Sequence, residues 1–287
     1  MTGRRVGALL IAAIIVVGLG TWLSSRKIEN TQSGAGQPVL KALKAQLNEV
    51  TEVRVSKGNG EHVTLRKRPT DWLVVEREFP ADSSKVRKLL LDLSALETVE
   101  AKTSDPAKYS QLGVEDVKTP TATGTHIELV TPEKVHGLIV GNTSGMKSGY
   151  VRATDAKQSL LATPQIVTDP DPKRWLDTTL VDIPEARVKE VEVLPASGPA
   201  YRVTREKKEQ TDFTVPGLPK GRELSNPGAA NAVAGSLMML GLDDVRRAPA
   251  PAEAAPAAKP ERVVFRTFDG LEIQVEGFKD GDRRYIS

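Results

Sequence analysis

Two stretches of this sequence read alike, and their likeness limits the fold more than any other feature. Val50-Thr51-Glu52-Val53-Arg54-Val55 and Val188-Lys189-Glu190-Val191-Glu192-Val193 both alternate apolar with charged residues, the period of a strand with one buried face. Each runs through a glycine-containing turn, Gly58-Asn59-Gly60 or Ser197-Gly198-Pro199, into a second alternating segment, Val63–Arg66 or Tyr201–Arg205. A third follows, Thr70–Val74 in one and Thr211–Val215 in the other, with an aromatic residue at the same place in both, Trp72 and Phe213. The pattern predicts an antiparallel meander, made twice.

A helix is expected after each meander. In the first copy Asp82 is placed to cap it, and Val86, Leu89, Leu90, Leu93 and Leu96 recur at the three- and four-residue spacing of one helix face. In the second, Asn226 is the expected cap and Pro227 the first helical residue, where a missing N–H costs nothing; Ala230, Val233, Leu237 and Leu240 form the stripe. The exits, Leu96–Ala101 and Leu242–Ala248, again match. Late strands complete each copy: Ile127–Leu129 and Leu138–Val140, then Val263–Phe265 and Leu271–Val275 around Asp269-Gly270, a hairpin dipeptide. Tyr150-Val151-Arg152 corresponds to Tyr285-Ile286-Ser287, which reads as a short edge or a strand cut short.

The domain layout expected is therefore a tail and anchor over 1–27, a tether and short helix over 28–48, a first α+β repeat over 49–162, a Pro-rich connection over 163–186 and a second repeat over 187–287. The small helix begins after Pro38 with Leu40, Leu43 and Leu47 on one face, and the second repeat contains an Ala/Pro linker at 249–260. The fold class is α+β, an N-terminal transmembrane helix followed by two modules of meander, amphipathic helix and further hairpin.

The anchor rests on Val6–Leu23, an uncharged run between Arg4, Arg5 and Arg26, Lys27. At 1.5 Å per residue it approaches the roughly 30 Å hydrocarbon core of a bilayer. Trp22 and Leu23 spoil a cleavage site of the small-residue kind. The flanking charge and terminal amine predict a cytoplasmic N-terminus and a periplasmic soluble part, in a bacterial inner membrane. The formal charge of +3 from 40 basic and 37 acidic residues belongs to this end: residues 1–27 hold four basic residues and no acid, leaving 36 against 37. No basic footprint for nucleic acid remains.

Several short motifs, in order, resemble the bacterial membrane-anchored family catalogued as domain of unknown function 4340: Trp72-Leu73-Val74, Pro80-Ala81-Asp82, Tyr109-Ser110-Gln111-Leu112-Gly113-Val114 with Pro120, Leu138-Ile139-Val140-Gly141 leading to Tyr150-Val151-Arg152, and Trp175-Leu176-Asp177 followed by Leu180. Ser110-Gln111 stands where many members have Gly. The resemblance implies a membrane-tethered extracytoplasmic α+β protein, and an ABC-type transport system as partner. It supplies no catalytic residues.

The residues add no catalytic, cofactor or metal assignment. Gly141–Ser148 has the wrong spacing for a phosphate loop and reads as a flexible loop between strands. His62, His126 and His136 lack ligand spacing, although His126 and His136 fall on paired strands and could approach. The chain has no cysteine and no nucleophile elbow. The preferred expectation is a non-enzymatic interaction protein, an accessory of an ABC-type transporter or another envelope protein, with Trp72, Tyr150, Phe213 and Tyr285 as candidate partner-binding residues. Two alternatives stay open: a carrier or sensor of a small or lipidic ligand in a cleft between the modules, and an envelope-polymer hydrolase using paired carboxylates.

Overall fold

The alternating segments pair as strands in the computed structural model, which describes residues 34–41, 43–218, 220–221, 223–247, 261–280 and 283–287. The expected anchor and the Ala/Pro linker lie outside the described residues; among those described, no helix is long and apolar enough to cross a membrane. One unit of the chain ends at Asp177 and a second spans Thr178–Ser287. Both are mostly antiparallel sheet with a few short helices, an α+β fold.

In the first unit a short helix, α1 (Leu43–Gln46), and a 3-10 turn lead into β1 (Glu52–Lys57), β2 (His62–Lys67), β3 (Trp72–Val74) and β4 (Phe79–Ala81). The long helix α2 (Ser83–Ser94), β5 (Glu97–Ala101) and the single turn α3 (Tyr109–Leu112) follow, then β6 (Thr125–Val130), β7 (Val135–Ser144), β8 (Ser148–Ala153) and β9 (Leu160–Thr163). They make one sheet in the order β4-β3-β2-β1-β6-β7-β8-β9-β5. The expected loop at Gly141–Ser148 is instead mostly strand: β7 runs to Ser144 and the chain reverses at Gly145, with φ +69°. Gly141 is small because α3 lies on it, and a Cβ there would come within 2.2 Å of the Leu112 carbonyl.

The second unit holds β10 (Thr179–Val181), β11 (Val188–Leu194), β12 (Tyr201–Thr204), α4 (Ala229–Ala234), β13 (Leu240–Gly241), β14 (Glu261–Thr267), β15 (Glu272–Asp280) and β16 (Arg283–Ile286). Its main sheet runs β12-β11-β14-β15-β16, with β10 and β13 paired separately. The expected third strand at Thr211–Val215 shrinks to one bridge, Thr204 to Thr214. The expected connection 163–186 contributes β10, and its start is the last residue of β9.

The registers of the two sheets coincide. Val53 sits between Leu65 and Leu129, and Val191 between Val203 and Phe265. Val55 pairs Val63 and Ile127, as Val193 pairs Tyr201 and Val263. A 3-10 turn precedes each first strand, Leu47–Glu49 and Glu185–Arg187. A cation at the end of each second strand, Lys67 as the last residue of β2 and Arg205 just after β12, holds that entry by its carbonyls: Lys67 Nζ donates to Asn48 at 2.8 Å, and Arg205 donates to Glu185 at 2.8 Å and Val188 at 3.0 Å. Thr131 and Thr267 close the later hairpins alike. Each hydroxyl donates to a carbonyl across the turn and accepts that residue's N–H, Lys134 in one and Leu271 in the other.

Asp82 caps α2, its Oδ1 accepting from the Ser84 and Lys85 amides at 2.9 and 3.2 Å. Val86, Leu89, Leu90 and Leu93 are buried along the helix, as are Val53, Val55, Val63, Leu65, Ile127 and Leu129 along one sheet face. A helix stripe and a sheet face both removed from water are the two sides of one core. Asp82→Ala leaves two amides at the helix start uncapped and is expected to cost about 1 kcal/mol, read as a lower urea midpoint by tryptophan fluorescence, with Asp82→Asn close to wild type. Equal midpoints for all three would remove the cap from the account.

Candidate functional site

Among the described residues the second sheet has less helical cover than the first. Gly228 and Gly235 bracket α4, so the helix lasts six residues before a 3-10 turn at Gly235–Leu237; glycine disfavours helix by about 1 kcal/mol relative to alanine. The expected cap is corrected here: Asn226 contributes its backbone carbonyl to Ala229 rather than a side-chain bond, Pro227 lies outside the helix, and Gly228 offers no side chain. The expected stripe is also cut, because Leu240 belongs to β13 and the matching exit strand starts there rather than at Leu242.

What remains is an open groove of about 460 Å³ between the sheet and α4. Its floor is Val193, Val263, Phe265 and Val275. Register sets these against Val55, Ile127, Leu129 and Leu138 of the first unit, all at most 1% exposed. In the second unit Val193, Val263 and Val275 are only partly buried. Val233 and Leu237 form one wall, and Tyr201, Leu240 and Ile286 complete the lining. Between the lining residues Leu237 and Leu240, Met238 is 56% and Met239 79% exposed. Met239 adopts φ +52°, its N–H donating to Asp182 Oδ1 at 2.9 Å. The volume falls in the usual range of ligand sites, and the lining offers apolar contact with little to anchor a polar group. No sequence pattern announced this site; the signal available was the pair of glycines inside an otherwise helical stripe.

The four aromatic residues expected at a partner surface do not form a cluster. Phe213 is 4% exposed in the second core. Arg205 lies over its ring at 4.6 Å and over Phe268 at 5.5 Å. Tyr150 packs against Tyr109, Val114 and Ile139 on the far face of the first sheet. Trp72 is half-buried on β3. Tyr285 stacks on Phe278 at 5.5 Å, with Arg246 3.7 Å from its ring centroid; it adjoins the groove residue Ile286 in sequence, and Phe213 shares its core with the lining residues Leu237 and Phe265.

The short motifs of the sequence are structural. Asp82 N–H donates to the Trp175 carbonyl at 2.7 Å and Asp177 N–H to that of Pro80 at 2.9 Å, so two distant motifs lock together. Arg152, 4% exposed, donates to the Val114 carbonyl at 2.9 Å and the Ala156 carbonyl at 3.2 Å, pairs with Asp116 and covers the Tyr109 ring at 4.7 Å. His126 and His136 do not approach: one pairs with Ile139 and the other with Leu129, on opposite faces of the sheet. His136 Nε2 meets Gln46 Oε1 at 3.0 Å, while the buried Nε2 of His126 has no partner and burial pushes its pKa down. Among the described residues no group of three or more His, Cys, Asp or Glu is placed to hold a metal. The carboxylates with displaced pKa values, Glu52, Asp71, Asp116 and Asp269, all move down.

The family model described as domain of unknown function (DUF4340) matches residues 72–260, more than half of the chain. No curated protein and no solved structure matches it.

Asp116 has its pKa lowered first by the Arg152 hydrogen bond and then by Lys118. A carboxylate of this kind adds stability above its unfolded pKa of about 3.9 and loses it as pH falls through the lower folded value. Asp116→Asn is therefore expected to lower the urea midpoint at neutral pH, by a margin that narrows as pH falls through the lowered folded value. A difference that persists undiminished in acid would contradict this role.

Proposed function

This chain belongs to the family described as domain of unknown function (DUF4340), and from that membership we propose a membrane-tethered, extracytoplasmic interaction protein without catalytic activity. In this reading Val6–Leu23 anchors it, the chain was built by duplicating one α+β module, and the second module engages the partner. The partner is an envelope protein, with an ABC-type transport system the first candidate. The observation that carries the reading is the apolar groove: positions sealed in the first unit stand half-open in the second. Exposed apolar patches rimmed by polar surface mark interaction sites, and the two exposed methionines between the lining residues Leu237 and Leu240 suit an adaptable contact. A general acid needs a raised carboxylate pKa, and the displaced carboxylates move the other way; that favours binding over hydrolysis.

The ligand-carrier reading takes support from the same volume and apolar lining. Its site would then lie within the second unit rather than in a cleft between modules.

The two are separated by photo-crosslinking in native membranes. A crosslinker at Leu240, in the groove wall, is expected to give an adduct with an integral membrane transport component. One at Arg202, on the charged face, is not. No adduct from Leu240, or the same adduct from both positions, would sink the interaction reading.

A further inference from the structure

The helices of the first unit carry an excess of positive charge. Over 34–48 the sequence holds Lys41 and Lys44 and no acid. Over 83–96 it holds Lys85, Arg87 and Lys88 against the single acid Asp92. The fold brings the two stretches together. Before α1 the chain runs along β5: Val39 N–H donates to the Leu96 carbonyl at 2.9 Å, Thr98 N–H to that of Gln37 at 2.9 Å and Gly36 N–H to that of Thr98 at 2.8 Å. Leu96 directly follows Ala95, the C-cap of α2. Lys41 and α1 therefore lie beside the C-terminal end of α2, and α1 packs on that helix with Leu43 fully buried.

The outer face of α2 is open. Val86, Leu89, Leu90 and Leu93 turn inward, and at 3.6 residues per turn Ser84, Arg87, Lys88 and Leu91 fall on the other side. All four are exposed, Leu91 by 52%. Lys85 and Lys88 pair with Asp82 at 3.6 Å and Asp92 at 2.7 Å. Lys41, Lys44 and Arg87 are exposed and have no carboxylate partner among the described residues. Glu97, between the buried Leu96 and Thr98, points to the opposite face of the sheet. Glu49, at the end of the 3-10 turn after α1, is the one exposed acid of these helices without a partner among the described residues.

The length of chain before this point limits what lies opposite. Ten residues, 24–33, separate Leu23, the end of the expected anchor, from Gly34, which opens the turn bonded to Thr98. They reach at most about 40 Å. A weak contact between this end of the unit and the bilayer surface is thereby an intramolecular one, favoured by high effective concentration.

We propose that the outer face of α2, with α1 beside it, rests on anionic phospholipid headgroups of the membrane that holds the chain. Lys41, Lys44 and Arg87 supply the attraction, and Leu91 the apolar contact. This rests on the reading of Val6–Leu23 as an anchor, and adds to it an orientation of the first unit, with α2 toward the bilayer and the far face of its sheet away.

The chain has no cysteine, so Leu91→Cys in the full-length protein carries one environment-sensitive dye. Thr64→Cys is the control, on the face of β2 opposite the buried Val63 and Leu65. Each is reconstituted into vesicles of neutral phosphatidylcholine, or of phosphatidylcholine with about 30% phosphatidylglycerol, with a spin-label quencher on the headgroups. Quenching at Leu91→Cys is expected in the anionic vesicles and at least about threefold less in the neutral ones. About 0.5 M salt should reduce it to the same degree, as should Lys41→Glu, Lys44→Glu and Arg87→Glu together, with circular dichroism unchanged. Thr64→Cys stays unquenched throughout. Equal quenching at Leu91→Cys in both lipids, or at both positions, overturns the proposal. So does quenching that neither salt nor the triple substitution reduces. No quenching in anionic vesicles, with Leu91→Cys still shielded from maleimide in native membranes, also overturns it and gives the face to an acidic protein. Flotation of the unlabelled chain reads the anchor separately. Flotation with both vesicles but no lipid-dependent quenching sinks the docking and leaves the anchor; flotation with anionic vesicles alone keeps the docking and sinks the anchor; flotation with neither sinks both.

Discussion

The cross-strand stacking of aliphatic side chains about each first strand is the interaction on which the rest depends. Val53 between Leu65 and Leu129, and Val191 between Val203 and Phe265, commit each sheet to one register. A slip of one residue would turn every one of these side chains outward. Full burial of such a side chain is worth about 1.5–3 kcal/mol, so an apolar sheet face must be covered by something. The entry clamps from Lys67 and Arg205 and the hairpin closures of Thr131 and Thr267 hold that register at its ends.

The units then differ in how the obligation is met. The first sheet has twelve residues of helix on one side, and Tyr109, Val114 and Arg152 packed on the other. The second has six residues of helix and, on its far face, a ladder of exchanged charges in which Arg266 binds Glu190, Glu192 and Glu272. The shortened helix leaves apolar area available on one face of the second sheet. An arrangement maintained for stability alone would close these positions, as the first unit does; the functional proposal follows from that contrast.

Much of the scaffold was legible because its signals are local. Alternation located β1, β2, β11 and β12, and the Asp82 cap with its leucine stripe located α2. The second helix misled because Asn226-Pro227 is a sound start signal, whereas Gly228 and Gly235 set the real limits. The aromatic at the third-strand position was correctly aligned, yet its setting was hidden: Phe213 is covered by Arg205, which the sequence shows only as one member of an alternating segment. Arg205 satisfies its three donor groups on the carbonyls of Glu185, Val188 and Gln210, a non-local bargain no window of sequence displays. The groove was illegible for a deeper reason. A cavity is set by what fails to cover a surface, and that requires knowing every neighbour.

The central claim is that the open face of the second unit is occupied when the protein is at work. The chain has no cysteine, so Ser236→Cys, beside Val233 and Leu237 on the groove wall, gives a single thiol to follow. Its maleimide-labelling rate would be compared in native membranes and in purified protein. The account predicts labelling slowed about tenfold or more in membranes, with a control thiol at Arg202 unaffected. Equal rates at Ser236→Cys in the two settings would contradict it.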